Sequence, residues 1–417
     1  MIDVVLCASG SDEVRIVHGI AQEHARDLRV VRRCADLAET LGVVTAGLGD
    51  VVLIDLAVRG LSRDALADLM DAGAAVVGIA HPGAAGSTTL GLRHVVDADA
   101  PVADVARTLL AALDPEEPAA DAGVLPDGET DGPRGRMIAV WGPLGAPGRS
   151  TLAANLAHEA ALGGTSTILV DADTYGSALA QILGILDESP GLVAACRASS
   201  RGTLDAEAVA ALVPDVHPQL RFLSGIGVAA RWPEVRDSSL EGVWDALRAA
   251  GSLIVVDAGF CLEEDEELSY DTMAPRRNAA TTSALAHADA VVAVVGADPV
   301  SITRLLREAE RLGELGVDRP HVVVNRHASP VPVDRVRELV ASRLPVASVT
   351  VLPDDPATCR RAAWDGSLLS EAGPRTPLRR AVKDLALALA LALAADGVEE
   401  SAPEVAASAR VGPRVGR

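Results

Sequence analysis

Lysine is almost missing from this chain. Lys383 is the one lysine in 417 residues, so the Lys+Arg total of 37 is otherwise arginine. An arginine where a lysine is usual therefore reflects the chain's composition before it reflects function. Aromatic residues make up 2%, which leaves Ala, Val, Leu and Ile to fill the cores. The five cysteines, Cys7, Cys34, Cys196, Cys261 and Cys359, show neither a C-x-x-C pair nor zinc-ligand spacing. That excludes a disulfide framework and a cysteine-built zinc site, and it fits a reduced compartment. No apolar run approaches the ~20 residues that span a bilayer. The residues before Cys7 carry Asp3 and no base, unlike a lipoprotein signal. The sequence predicts a cytoplasmic protein.

Acid is abundant. The 58 Asp and Glu residues give a formal net charge of −21, which disfavours non-specific attraction to nucleic-acid backbones and anionic membranes. With 49% apolar residues, the chain has material for more than one packed domain.

Residues 114–135, DPEEPAADAGVLPDGETDGPRG, gather Pro, Gly and acids without apolar periodicity and read as an exposed linker. Before it, residues 1–113 carry apolar runs at 2–7, 51–56, 75–80 and 92–96, alternating with helical patterns at 12–25 and 102–113. This predicts an α/β domain around a parallel sheet. Residues 136–395 predict a larger, doubly wound sheet, with strands at 137–141, 167–171, 220–223, 253–257, 291–295 and 321–324. Residues 396–417 have the composition of a disordered tail.

In the second domain, the strand ending at Trp141 runs into Pro143-Leu144-Gly145-Ala146-Pro147-Gly148-Arg149-Ser150-Thr151, and a helical pattern follows to Leu162. Strand, small-residue loop and helix are the context of a phosphate-binding loop, in which backbone N–H groups converge on phosphates at a helix N-terminus. Arg149 would reach the β and γ phosphates, and Ser150 would offer its hydroxyl to Mg²⁺. Asp171 and Asp173 end one predicted strand and Asp257 ends another. Ligand crevices of open α/β sheets lie at such ends, so these carboxylates are candidates to meet the loop and its metal. Helix capping is the plainer task for each of them.

This ordered set resembles the MinD/ParA group of P-loop ATPases with a deviant Walker A motif, over about residues 136–380. The resemblance extends to Ala288-Asp289-Ala290-Val291-Val292, Val324-Asn325-Arg326 and Val351-Leu352-Pro353-Asp354-Asp355. Gly145 to Thr151 and Val256 to Glu267 are similar to the actinobacterial CpaE-like, septum site-determining proteins, which join a receiver-like domain to a MinD-like ATPase. The resemblance implies that ATP and Mg²⁺ are the ligands. Gly145, Ala146, Pro147, Gly148, Arg149, Ser150 and Thr151 would cradle the phosphates, with Arg149 also supplying catalytic charge. Asp173 would orient the attacking water, and Asp171 and Asp257 would support Mg²⁺ beside Ser150. Asn325 would bind adenine, with Arg326 and Pro353 lining the base pocket. The group also implies a homodimer, protein partners and a task in septum placement or in localising a Tad-type pilus or secretion system.

The group's first loop lysine acts across the dimer, and Leu144 stands in its place, so the expectation is slow hydrolysis. A non-hydrolysing scaffold with a vestigial site is the alternative, and the net charge disfavours a DNA-partition role. In residues 1–113, Asp55 ends a strand as the phosphorylated aspartate of a receiver does. Cys7 and Ala8 replace the receiver's acidic pair, and Asp97 stands near its lysine position. Asp55 is then a signalling residue or a capping one. Two further segments stay open. The acidic run Glu263–Glu267 with Arg276-Arg277 is a solvated surface or a partner-sensing loop. The alternating run Leu385–Ala395 is the last domain helix, a dimer or partner interface, or a peripheral membrane contact.

Overall fold

A computed structural model describes residues 1–8, 10–81, 90–113, 134–185, 189–263, 275–328 and 330–400, with backbone alone at Ser11 and 396–400. Residues 114–133 of the expected linker and 401–417 of the expected tail lie outside the described residues, while 396–400, expected to be disordered, continue the last helix.

Strands β1 (Ile2–Cys7), β2 (Leu28–Arg33), β3 (Val51–Asp55), β4 (Ala75–Ala80) and β5 (His94–Asp97) form a parallel sheet in the order β2-β1-β3-β4-β5. β1 and β3 are covered on both faces, so they read as unbroken apolar runs. Ile16, Ile20, Val105 and Leu109 pack on one side, and Val44, Leu66 and Leu69 on the other. β2 was not among the expected strands. It lies at the sheet edge, and its Arg29, Arg32 and Arg33 pair outward with Asp3, Glu39 and Glu13. Charge on an edge strand discourages pairing with other chains and hides the strand from a search for apolar runs.

The second sheet comprises β6 (Arg136–Trp141), β7 (Thr167–Ala172), β8 (Asp215–His217), β9 (Leu220–Leu223), β10 (Leu253–Ala258), β11 (Ala290–Gly296), β12 (His321–His327) and β13 (Ser348–Pro353). Its order is β13-β12-β11-β6-β10-β7-β9-β8, parallel except for β8. From β6 the chain runs outward to β7, β8 and β9, returns to β10 beside β6 and crosses to β11 on its other side. The C-terminal end of β6 therefore lies at a reversal of strand order, where ligands bind in such sheets. β10 runs beside β7 with Asp257 opposite Asp171. Register alone thus places two carboxylates side by side.

The last helix, Pro377–Glu400, lies along the helix Arg149–Leu162 that follows the loop. Leu385, Leu389 and Leu393, one turn apart, enter the core with Leu152 and Leu156. Arg379 pairs with Glu159 at 2.8 Å. The apolar run is therefore the closing helix of the domain, with Leu387 and Leu391 left 61% and 64% exposed on its other face.

The N-terminal domain touches the second domain through the helix Arg63–Asp71. The helix Asp237–Ala250 has no side-chain cap of its own. Asp64 supplies a carboxylate there, accepting from the hydroxyls of Ser238 at 2.6 Å, Ser239 at 2.8 Å and Ser200 at 2.8 Å. Asp68 pairs with Arg236 at 3.3 Å. Negative charge at a helix N-terminus is favourable. Asp64→Ala is expected to strand these hydroxyls at a cost of about 2 kcal/mol. Hydrogen exchange should then quicken at the start of the 237–250 helix while nucleotide binding stays unchanged. Unaltered exchange there would show that the contact holds nothing.

Candidate nucleotide site

The loop leaves β6 through two glycines in the left-handed region, Gly145 at φ +79° and Gly148 at φ +82°. Both positions are also approached by side-chain ends that a β-carbon would have to displace. A β-carbon would lie 2.5 Å from Arg304 Nη1 at Gly145 and 2.6 Å from Asn325 Nδ2 at Gly148. Gly148 is the N-cap of the helix Arg149–Leu162, and no side chain caps it. The first-turn N–H groups are left for an anion. Ala146 and Pro147 complete the bend, with Ala146 N donating to Pro143 O at 2.9 Å.

Arg149 turns its guanidinium inward. Nη1 donates to Gly142 O at 3.0 Å and Nη2 to Asp173 Oδ2 at 3.3 Å, while the buried Nε has no partner. Asp173 also accepts at Oδ1 from the N–H of Tyr175 at 2.8 Å and of Gly176 at 3.1 Å. Asp257 is 1% exposed, and neither of its oxygens meets a donor in hydrogen-bonding geometry among the described residues, although the Ser150 hydroxyl lies close enough to act on it. Burial, and then the charge of Asp171, push its pKa well above the carboxylate range, with Ser150 and Arg149 opposing.

Asp171 has a different setting. Its Oδ2 accepts from Ser177 Oγ at 2.8 Å and from the N–H groups of Ala178 and Leu179 at 3.0 Å each. It thereby holds the start of the short helix Leu179–Ile182, as the capping alternative expects. Burial raises its pKa to about 6 despite these donors. Ser150 and Asp257 meet at the loop, whereas Asp171 stands one strand away with both oxygens engaged, Oδ1 accepting from Asp173 N at 3.3 Å.

Among the described residues no three His, Cys, Asp or Glu side chains form a metal-holding group. Mg²⁺ does not require one, because it keeps waters and takes one or two carboxylates beside substrate phosphates. Two buried, unpartnered oxygens on Asp257 beside a serine hydroxyl fit such an ion.

A cavity of about 400 Å³ opens next to the loop, lined in part by Gly148, Thr151, Asn325, Arg326, Pro353 and Cys359. The fold therefore brings Asn325, Arg326 and Pro353 to Gly148 and Thr151 from the ends of β12 and β13. Asn325 is fastened to the loop, its Nδ2 donating to Pro147 O at 2.9 Å and its Oδ1 accepting from Arg326 N at 2.9 Å. Arg326 has φ +58°, uncommon for a residue other than glycine.

Several contacts had no sequence signal. Half of the chain's aromatic residues gather beside Asp173 and Asp257. Tyr175 lies 5.0 Å from Phe260, Arg277 stacks 3.7 Å above the Tyr175 ring and 5.3 Å from that of Trp232, and Trp141 Nε1 donates to Phe260 O. Tyr175 OH donates to Asn278 at 2.8 Å. Arg277 thus bridges the segments after the two carboxylates, while 264–274, most of the acidic run, lies outside the described residues. Arg304 reaches the loop from the helix Pro299–Arg307, whose start is capped by Asp298. In the N-terminal domain, Asp55 accepts from Ala57 N at 2.8 Å and meets His81 Nε2 at 3.1 Å.

No family model and no curated protein matches the sequence. Solved structures do. The cell division ATPase MinD of Pyrococcus furiosus is 18% identical over 62% of this chain and 99% of its own, with a TM-score of 0.49. The septum site-determining protein MinD of Pyrococcus horikoshii OT3, complexed with Mg-ADP, is 18% identical over 61% and 95%, at 0.48. A ParA family ATPase from Chlorobium tepidum TLS is 18% identical over 60% and 98%, at 0.49.

Proposed function

We propose that the chain is an ATP-binding P-loop switch of MinD/ParA type that hydrolyses ATP slowly to ADP and phosphate. One observation carries this reading: Asp257, wholly buried with two unpartnered oxygens, faces Ser150 and Arg149 at an uncapped helix N-terminus. A buried carboxylate needs a counter-charge, and a phosphate-bound cation supplies one. The loop amides from Gly145 to Thr151 and Arg149 would hold the phosphates. Ser150 and Asp257 would hold Mg²⁺, with Asp171 supporting its waters, and the ion would neutralise phosphate charge. Asp173 would orient water, and Asn325, Arg326 and Pro353 would face the base.

Slowness follows from Leu144, uncharged and 60% exposed, and from the tie between Arg149 and Asp173. In the CpaE-like reading, residues 1–113 are a degenerate receiver-like module, supported by a strand order that receivers share. The switch would then act as a homodimer with protein partners in septum placement or in positioning a Tad-type apparatus. Among the described residues no helix is long and apolar enough to cross a membrane.

A non-hydrolysing scaffold is the second reading, favoured by the pairing of Asp173, the proposed water-orienting group, with Arg149. Equilibrium binding of ATP with and without Mg²⁺ tests the first. No binding at millimolar concentration removes it, and turnover above about 1 s⁻¹ by the protein alone removes its slow part. Binding without any turnover leaves the scaffold.

A further inference from the structure

We infer that Arg304 is a second phosphate-contacting cation of this site, reaching the terminal phosphate of a bound nucleoside triphosphate from the outer side of the loop. The inference rests on the nucleotide reading above. β11 and β6 are neighbours, with Ala293 opposite Trp141, so the helix Pro299–Arg307 and the phosphate loop spring from adjacent strand ends. Asp298 fixes the start of that helix, accepting from the N–H of Val300 and of Ser301 at 3.0 Å each. From there Arg304 Nη1 donates to Leu144 O at 2.9 Å, across 160 residues of chain. The same nitrogen fills the space that a side chain at Gly145 would take. Two adjacent loop residues therefore receive one guanidinium.

The rest of that guanidinium is free to act. Arginine has five N–H donors in a rigid fork, and Leu144 O takes one. Arg304 is exposed and forms no ion pair among the described residues, although its charge, behind the hydrogen bonds from Ser301, reaches Asp298 and helps to lower that pKa. The nearby Asp298 has both oxygens engaged, Oδ2 by Ser301 Oγ at 2.6 Å. Leu144 brings no charge to this corner, and Arg149 is held by Gly142 and Asp173. Arg149 is already committed to Asp173, with Asp257 close by, and a triphosphate adds further negative charge. A cation at the open side of the loop answers that excess.

The test compares ATP and ADP binding, each with Mg²⁺, in wild type, Arg304→Ala and Arg304→Lys. Thermal melting serves as the folding control, since the side chain is exposed. Arg304→Ala is expected to weaken ATP about ten-fold or more, the usual size of one hydrogen bond to a charged group, and ADP less than about three-fold. Arg304→Lys should recover part of the ATP loss. Equal losses for the two nucleotides would reduce Arg304 to a shaper of the loop and overturn the inference, as would no loss at all. Wild type that binds neither nucleotide overturns the nucleotide reading itself, and this one with it.

Discussion

Arg149→Ala is expected to weaken Mg-ATP binding by about a hundred-fold or more and to lower stability by about 3 kcal/mol. The binding loss follows from removing the buried cation inside the loop, which Arg304 on its outer side does not replace. The stability loss has a separate origin. Arg149 is mostly buried against Asp173, and its removal leaves carboxylates uncompensated in a closed site. Breaking a buried pair from one side is costly because of the charge left behind. A second variant separates the two effects. Arg149→Ala with Asp173→Ala should regain much of the stability while binding stays lost. Measured by denaturant unfolding and nucleotide titration, a double variant no more stable than the single one would show that Asp173 is not the stranded partner.

The ligand-free protein is expected to lose stability from Asp171 as pH rises, opposite to an ordinary surface-paired carboxylate. Burial lifts this pKa from 3.8 to about 6. Between these values the folded chain keeps a proton that the unfolded chain releases, so stability falls as pH rises through that window. A shift of this size corresponds to about 3 kcal/mol. Asp257 moves in the same direction. Asp289 moves in the other: burial opposes ionisation, but the Met137 N–H and Arg248 win and lower its pKa. Asp171→Asn isolates the first contribution. Melting midpoints from pH 4 to pH 7 should fall less steeply in the variant than in wild type. Mg-ATP should stabilise wild type more at pH 7 than at pH 5, because a cation prefers ionised neighbours. Parallel pH profiles for wild type and variant would sink this expectation.

Much of the frame was readable because it is local. The strand, loop and helix around Gly145 to Thr151 are continuous in sequence, and buried parallel strands announce themselves as Val and Ile runs. The charged edge strand Leu28–Arg33 and the partly exposed Ser348–Pro353 carry weaker patterns. At the site, spacing placed Asp171, Asp173 and Asp257 at strand ends but did not separate their tasks. Whether a carboxylate faces the loop or holds the next helix depends on how the chain turns after it, and Ser177 to Leu179 decide that for Asp171. Arg304, Asn325 and Asp64 act across long stretches of chain, and no local periodicity reports such meetings.

The gathering of aromatic rings beside Asp173 has an optical consequence. Of four tryptophans, Trp141 is fully buried and bonded to Phe260 O, and Trp232 shares Arg277 with Tyr175. Trp364 is 90% exposed and emits as a solvated indole, a steady red background. A rearrangement after Asp173 or Asp257 is therefore expected to change intrinsic emission without a label, above the constant contributions of Trp364 and of Trp244, which is buried and bonded to Ser283 Oγ at 3.0 Å.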